Sequence, residues 1–201
     1  MFARIMRVLI IAIVIAFAWV GAVAEQVMME QRNIAANVLR FHVLANSDSA
    51  EDQALKLQVR DKVVEYVQNL EAVDLLDKRL AIFKNLKNIE QMASDVILEN
   101  GFDYEVTAHL GKFEFPTKDY GDISLPSGIY EALRIEIGEA LGANWWCVVY
   151  PNICFIGQGA ILGDSAKAQL QGSLDRCEYA LISGKAPLKF RILEFVNSIK
   201  K

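Results

Sequence analysis

From Val8 to Ala24 the chain carries no charge, and Val, Leu, Ile, Ala and Phe fill nearly every position. Beyond Glu25 the apolar positions fall into shorter periods. Leu39, Phe41, Val43 and Ala45 alternate with Arg40, His42 and Leu44, the period of two that marks a half-buried strand. The strand stops at Asn46-Ser47-Asp48-Ser49, where Ser49 offers a side-chain acceptor to a helix start and Asp52 follows three residues on, as in a capping box. The helix then places Leu55, Val59, Val63, Tyr66 and Leu70 on one stripe. A second helix begins between Asp74 and Asp77, turns Ile82, Leu86, Ile89, Ala93 and Val96 inward, and ends at Gly101, a left-handed cap.

After Gly101 the period returns to two: Tyr104, Val106, Ala108 and Leu110 oppose Glu105, Thr107 and His109 in a strand that ends before Pro116. A loop rich in Gly, Asp and Pro leads to a strand with Leu133, Ile135 and Ile137 on one face. Trp145 to Tyr150 reads as the returning strand of a hairpin, and Pro151-Asn152 turns the chain again before a short strand at 153–156. Asp164 caps a third helix with Leu170, Leu174, Cys177 and Leu181 inward, stopped by Gly184 and Pro187; for residues 188–199 strand and helix both stay open. The order β-α-α-β-β-β-α predicts one α+β domain over residues 25–201, an antiparallel sheet with helices packed on one face.

The apolar run follows Arg4 and Arg7 and ends in Ala22-Val23-Ala24. A basic start, an apolar stretch and a small-residue end make a secretory signal, with cleavage expected after Ala24. As a 17-residue helix the run is roughly 25 Å long, so an uncleaved anchor stays open as the alternative. In both cases membrane contact is confined to residues 1–24 and the rest lies outside the cytoplasm. The mean hydropathy of +0.22 is inflated by this segment. Without it the net charge moves from −4 to −6, because Arg4 and Arg7 are the charges lost, and no Lys/Arg cluster is visible elsewhere. A nucleic-acid partner is therefore not expected.

Few residues are set up for catalysis. His42 and His109 each lie in a predicted strand, and no nucleophile elbow, zinc-protease helix or phosphate loop is present, so no catalytic group, cofactor or metal site is expected. Asn46, Asp48, Glu51 and Asp52 resemble calcium ligands, but the loop lacks the central glycine and distant Glu of such a site, and helix capping accounts for them. Of three cysteines, Cys147 could act as a nucleophile served by either histidine, but with Cys154 seven residues on in an oxidising compartment the two are expected to pair. Seven extended steps span ~23 Å and a disulfide needs Cα atoms within ~7 Å, so the chain must reverse between them, at Pro151-Asn152. Cys177 sits on an apolar stripe, where a thiol acts as a small hydrophobe. Trp145-Trp146 sends neighbouring rings to opposite faces of a strand, and the outward one is a candidate partner anchor.

The run from Arg40 to Ser49 (Arg40-Phe41-His42-Val43-Leu44-Ala45-Asn46-Ser47-Asp48-Ser49), then Asp52-Gln53-Ala54-Leu55-Lys56-Leu57 and Val59-Arg60-Asp61, resembles the N-terminal signature of the stage II sporulation protein R family. Leu125-Pro126-Ser127-Gly128, Tyr130-Glu131-Ala132-Leu133-Arg134, and Asn144-Trp145-Trp146-Cys147-Val148 through Pro151, Cys154 and Phe155 resemble its central block. Pro151-Asn152 stands where members usually have Pro-Pro, which puts any role of a double proline in doubt. The resemblance implies a protein made in the forespore and exported into the space between forespore and mother cell. There it would activate a membrane-embedded peptidase that cleaves the sigma-E precursor, itself performing no catalysis. Under that reading the partner contacts are sought at His42, Asn46, Ser47, Asp48, Asp52, Trp145 and Trp146. The alternative from another class is an exported hydrolase acting on cell wall through paired carboxylates.

Overall fold

The computed structural model describes residues 2–154 and 164–185. Its elements in chain order are α1 (Phe2–Ala36), β1 (Leu39–Leu44), α2 (Ala50–Asn69), α3 (Leu75–Lys84), α4 (Leu86–Glu99), β2 (Val106–Phe115), β3 (Lys118–Tyr120), β4 (Ile123–Leu125), β5 (Gly128–Ile137), β6 (Asn144–Tyr150), α5 (Asp164–Ser173) and α6 (Arg176–Ala180). The predicted α+β class and single domain hold. Of the strand expected at 153–156, Ile153 and Cys154 are described and lie in no strand, while residues 155–156 and 188–199 lie outside the described residues.

All six residues of β1 are buried, because this strand lies inside a four-stranded sheet of order β2-β5-β1-β6. The half-buried strand expected from alternation is thus a central one, with Arg40 and His42 covered as fully as Phe41 and Val43. β1 runs parallel to β5 and antiparallel to β6, and β2 runs antiparallel to β5. The expected hairpin of β5 with β6 does not form, since β1 lies between them, and the expected antiparallel sheet is mixed. A parallel neighbour needs a long crossover. The chain from β1 to β5 supplies it, carrying α2, α3, α4 and β2.

Helices α2 to α4 cover the face of Phe41, Val43, Leu133 and Ile135, sharing one apolar cluster through Leu55, Val59, Val63, Ile82, Ile89, Ala93 and Ile97. The single helix expected from Asp74 to Gly101 is two. Asn85 separates them: its side-chain amide donates to the Ala81 carbonyl at 2.8 Å while its Oδ1 accepts from Tyr66 Oη at 2.8 Å. Gly101, at φ +82°, ends α4 as expected, with Gly101 N bonded to Leu98 O and Phe102 N to Ile97 O. Those two bonds close a Schellman motif.

The opposite face is covered at the Arg40 end by the β3–β4 ribbon, unforeseen in the loop after Pro116, and by the last turns of α1, whose Gln31 side chain lies against Gly128. Val27 and Ile34 of α1 are buried, whereas the helix is exposed from Arg4 through Ala22. The third helix breaks after Ser173. Asp175 starts α6 through a reciprocal capping box with Glu178. That break turns Cys177 outward, so the thiol expected to be buried is exposed.

Candidate functional site

The turn after β1 is built by hydrogen bonds that its own sequence dictates. Ser49 Oγ accepts from Asp52 N at 3.1 Å, the helix cap expected of it. The reciprocal half of a capping box is absent, because the Asp52 carboxylate turns back to accept from Ser47 Oγ at 2.5 Å and Asn46 Nδ2 at 2.9 Å. Asp52 is buried. Burial alone would raise its pKa, but these hydrogen bonds outweigh burial and hold the carboxyl below its usual range.

The same turn grips the loop between β5 and β6. Asn46 Oδ1 accepts from Glu139 N at 3.0 Å, and Asp48 Oδ1 from Ala143 N at 2.6 Å. Lys56 Nζ donates to the Ala143 carbonyl at 2.9 Å and to Gln53 Oε1. Gly142 fits only without a side chain, since a Cβ there would run into the Ser47 carbonyl. Asn46, Ser47, Asp48 and Asp52 are therefore brought together, by a staple of one loop to another. Of the calcium-like residues named in the sequence, Asn46 Oδ1, Asp48 Oδ1 and Asp52 Oδ2 each accept from a protein donor, and Glu51 is exposed in the first turn of α2. Among the described residues no group of three or more His, Cys, Asp or Glu is placed to hold a metal ion.

The two tryptophans take opposite faces of β6, and neither is fully in the core. Trp145 lies under the Arg60 guanidinium of α2, 4.2 Å from its ring centroid. Trp146 stacks on His42 at 3.6 Å and meets Phe115 edge-on at 4.7 Å. His42 Nε2 donates to Asn144 Oδ1 at 2.7 Å. Burial pushes the His42 pKa down to about 4, Asn144 opposes that, and Arg134 and Arg40 add to it. The imidazole is neutral at neutral pH and has one buried nitrogen, Nδ1, without a partner.

Cys147 and Cys154 form the expected disulfide, with Cα atoms 5.0 Å apart. The reversal runs through Pro151, and Ile153 N returns to Val148 O at 3.0 Å. This pins the end of β6, and with it the tryptophan pair, to the strand's own backbone.

Arg40, a polar position in the alternation of β1, is the largest fully buried side chain among the described residues. Its guanidinium lies 4.0 Å from the Phe115 centroid and 4.7 Å from that of Tyr130, and Nη2 donates to Tyr120 Oη at 2.6 Å. Nε and Nη1 have no hydrogen-bond partner. Alternation hid this residue: a polar position in a strand reads as solvent-facing unless something is known to cover it.

A groove of about 430 Å³ lies between α2 and α4, lined by Gln58, Asp61, Lys62, Glu65, Val96, Glu99 and Asn100. Three of its lining residues, Asp61, Glu65 and Glu99, are carboxylates, the residue type that the hydrolase alternative requires. Two of the three are ion-paired, Asp61 with Arg60 at 2.6 Å and Glu65 with Lys62 at 3.4 Å. His42 and His109 are not among its residues.

Comparison with known proteins places this chain in a family. Residues 35–159 match the family model described as stage II sporulation protein R. The chain is similar to "Stage II sporulation protein R" of Bacillus subtilis (strain 168), 34% identical over 147 residues, which cover 69% of this chain and 65% of that relative. The chain thus spans somewhat less than two thirds of the relative's length. No solved structure matches.

Proposed function

The chain belongs to the stage II sporulation protein R family, and from that premise we propose that it is an exported signal of endospore formation. In this reading it is made in the forespore and delivered to the space between forespore and mother cell. There it activates a membrane-embedded peptidase, which cleaves the sigma-E precursor. The observation that carries the reading is the family match across residues 35–159, which spans all the strands of the sheet. The exposed apolar turns of α1 support export, since a water-soluble fold has no use for them.

A signal of this kind acts by binding the active state of its target better than the inactive one, and it needs a stiff surface and no reactive group. The tryptophan pair and the stapled turn fit that need. Trp145, Trp146, Asn46, Ser47 and Asp48 keep exposed surface, and the buried His42 and Asp52 hold Trp146 and the turn in place. The seven residues are proposed as the recognition region, with the turn and one member of the tryptophan pair as contacts, since Trp145 and Trp146 lie on opposite faces of β6.

The test is reconstitution. Peptidase and sigma-E precursor are placed in membranes with and without this protein on the extracytoplasmic side, and precursor length is read on a gel. Processing that depends on added protein supports the proposal. Equal processing without it, or cleavage of wall or peptide substrate by the purified chain alone, would overturn it.

A further inference from the structure

Helix α1 runs unbroken from Phe2 to Ala36, through the point where the sequence predicts cleavage. Its two parts differ. The first part is exposed and apolar, as a membrane segment would be. The second is core: Val27 and Ile34 are 1% and 0% exposed, and Glu30 and Gln31 are buried with them. The covered stripe starts earlier than the cleavage point, because Val23 and Ala24 are already half-buried. Positions 23, 27, 30, 31 and 34 follow the spacing of one helix face. Gln31 also fills the space beside Gly128, so tightly that a Cβ there would collide with its amide.

We infer that the folded domain seals its own processing site: once the end of α1 has docked, the Ala24–Glu25 bond resists the protease. Chains that are processed are those cut before folding, and chains that fold first stay anchored by residues 2–22. Cutting is hydrolysis of one peptide bond, with water giving a carboxylate on Ala24 and an amine on Glu25. A protease must draw several residues around that bond out of the helix. Here those residues are tied by backbone hydrogen bonds along the helix and by contacts to the core. Cleavage of a bond held this way follows the population of the opened form. One exported sequence then yields a diffusible signal or a tethered one, according to whether cleavage or folding comes first. The inference rests on export and is independent of any peptidase partner.

The test uses full-length protein accumulated in cells under a signal-peptidase inhibitor, followed by washout, with the N-terminus read by mass spectrometry. Chains that folded during the block are expected to remain full-length, and chains made after washout to begin at Glu25. The double substitution Gln26→Gly with Val27→Gly loosens α1 at the bond, and purified in detergent it should be cut at least about ten-fold faster than folded wild type. Amide hydrogen exchange at residues 23–28 gives a readout should that variant fold poorly, and slow exchange is expected in folded wild type. Conversion of blocked chains to the short form at the rate of new ones would overturn the inference. So would fast exchange at those amides, or a failure of signal peptidase to cut even newly made chains.

Discussion

His42 and Trp146 lie face to face across the pairing of β1 with β6, ring centroids 3.6 Å apart and planes 18° from parallel. An indole face and the Asn144 carbonyl oxygen both favour a cationic imidazole. Burial wins over them, with Arg134 and Arg40 adding repulsion, and the pKa falls to about 4. A group whose folded pKa is depressed from 6.5 binds more protons unfolded than folded between those values, so stability is complete above 6.5 and drains as pH falls toward 4. The expected loss is up to about 3 kcal/mol by pH 4. Denaturant melts at pH 7, 5.5 and 4 should show the decline, and His42→Gln should flatten it; an equal slope in the variant would remove His42 as its cause.

Arg40 should be replaceable. Its buried charge has aromatic faces and one tyrosine hydroxyl in place of a carboxylate. Desolvating a guanidinium costs several kcal/mol, while each cation–π contact returns about 1–2. With Nε and Nη1 unpaired the balance lies close to zero. Arg40→Met is expected to melt within about 1 kcal/mol of wild type or above it. Tyr120→Phe removes the single hydrogen-bond acceptor and should cost about 1–2 kcal/mol. The reverse order of the two variants in a thermal melt would show that the arginine is stabilising as it stands.

Asp52→Ala removes the buried acceptor of Ser47 Oγ and Asn46 Nδ2 in a half-buried turn, and of the Tyr104 hydroxyl beside it. A loss of about 2–3 kcal/mol follows from leaving such groups unpaired. Ser49→Ala removes a helix cap and should cost about 1 kcal/mol. In wild type the Asp52 contribution is present above pH 3.8 and fades below it, because the folded carboxyl titrates lower than that. Chemical denaturation of both variants checks the ranking.

How far the sequence reveals this molecule depends on whether a signal is local. Ser49, Gly101 and Pro116 end or start elements through their own backbone chemistry, and each was legible. Strand neighbours were not. Alternation shows which residues share a face but not which strand lies beside it, so the insertion of β1 between β5 and β6 was hidden. The disulfide was legible because its loop is short. The β3–β4 ribbon was hidden because its strands are three residues each, too few for a period. At the site, the motif of Asn46 to Asp52 was visible as a cap, but its grip on Glu139 and Ala143 crosses more than ninety residues. Arg60 over Trp145 went unforeseen for the same reason, being a contact between helix and sheet.

Reducing Cys147–Cys154 opens an eight-residue loop, whose closure constrains the unfolded chain by about 2.5 kcal/mol on the entropy model. The double variant Cys147→Ala with Cys154→Ala should therefore melt lower by roughly that amount, and added reductant should affect wild type but not the variant. Non-reduced peptide mapping of exported protein is expected to return the cross-linked pair, and free thiols at both positions would contradict the pairing.

Surface recognition and catalysis part company when concentration is raised. Trp146→Ala removes a partly exposed ring that also packs on His42 and Phe115, so part of its effect is a loss of stability, and the variant has to be scored at a temperature where its melt shows it folded. Asp48→Asn is milder, since the amide oxygen can still accept from Ala143 N while the exposed charge is gone. For a ligand, losing a contact weakens binding and leaves the effect of the bound complex intact. Both variants should then need more protein for half-maximal precursor processing, Trp146→Ala by ten-fold or more on the ~2 kcal/mol scale of an aromatic anchor, and both should reach the wild-type plateau. A residue that performs chemistry would instead lower the plateau at saturation. A lowered plateau for a folded Trp146→Ala or Asp48→Asn protein would count against the recognition surface proposed here and send the search for carboxylates back to the groove between α2 and α4.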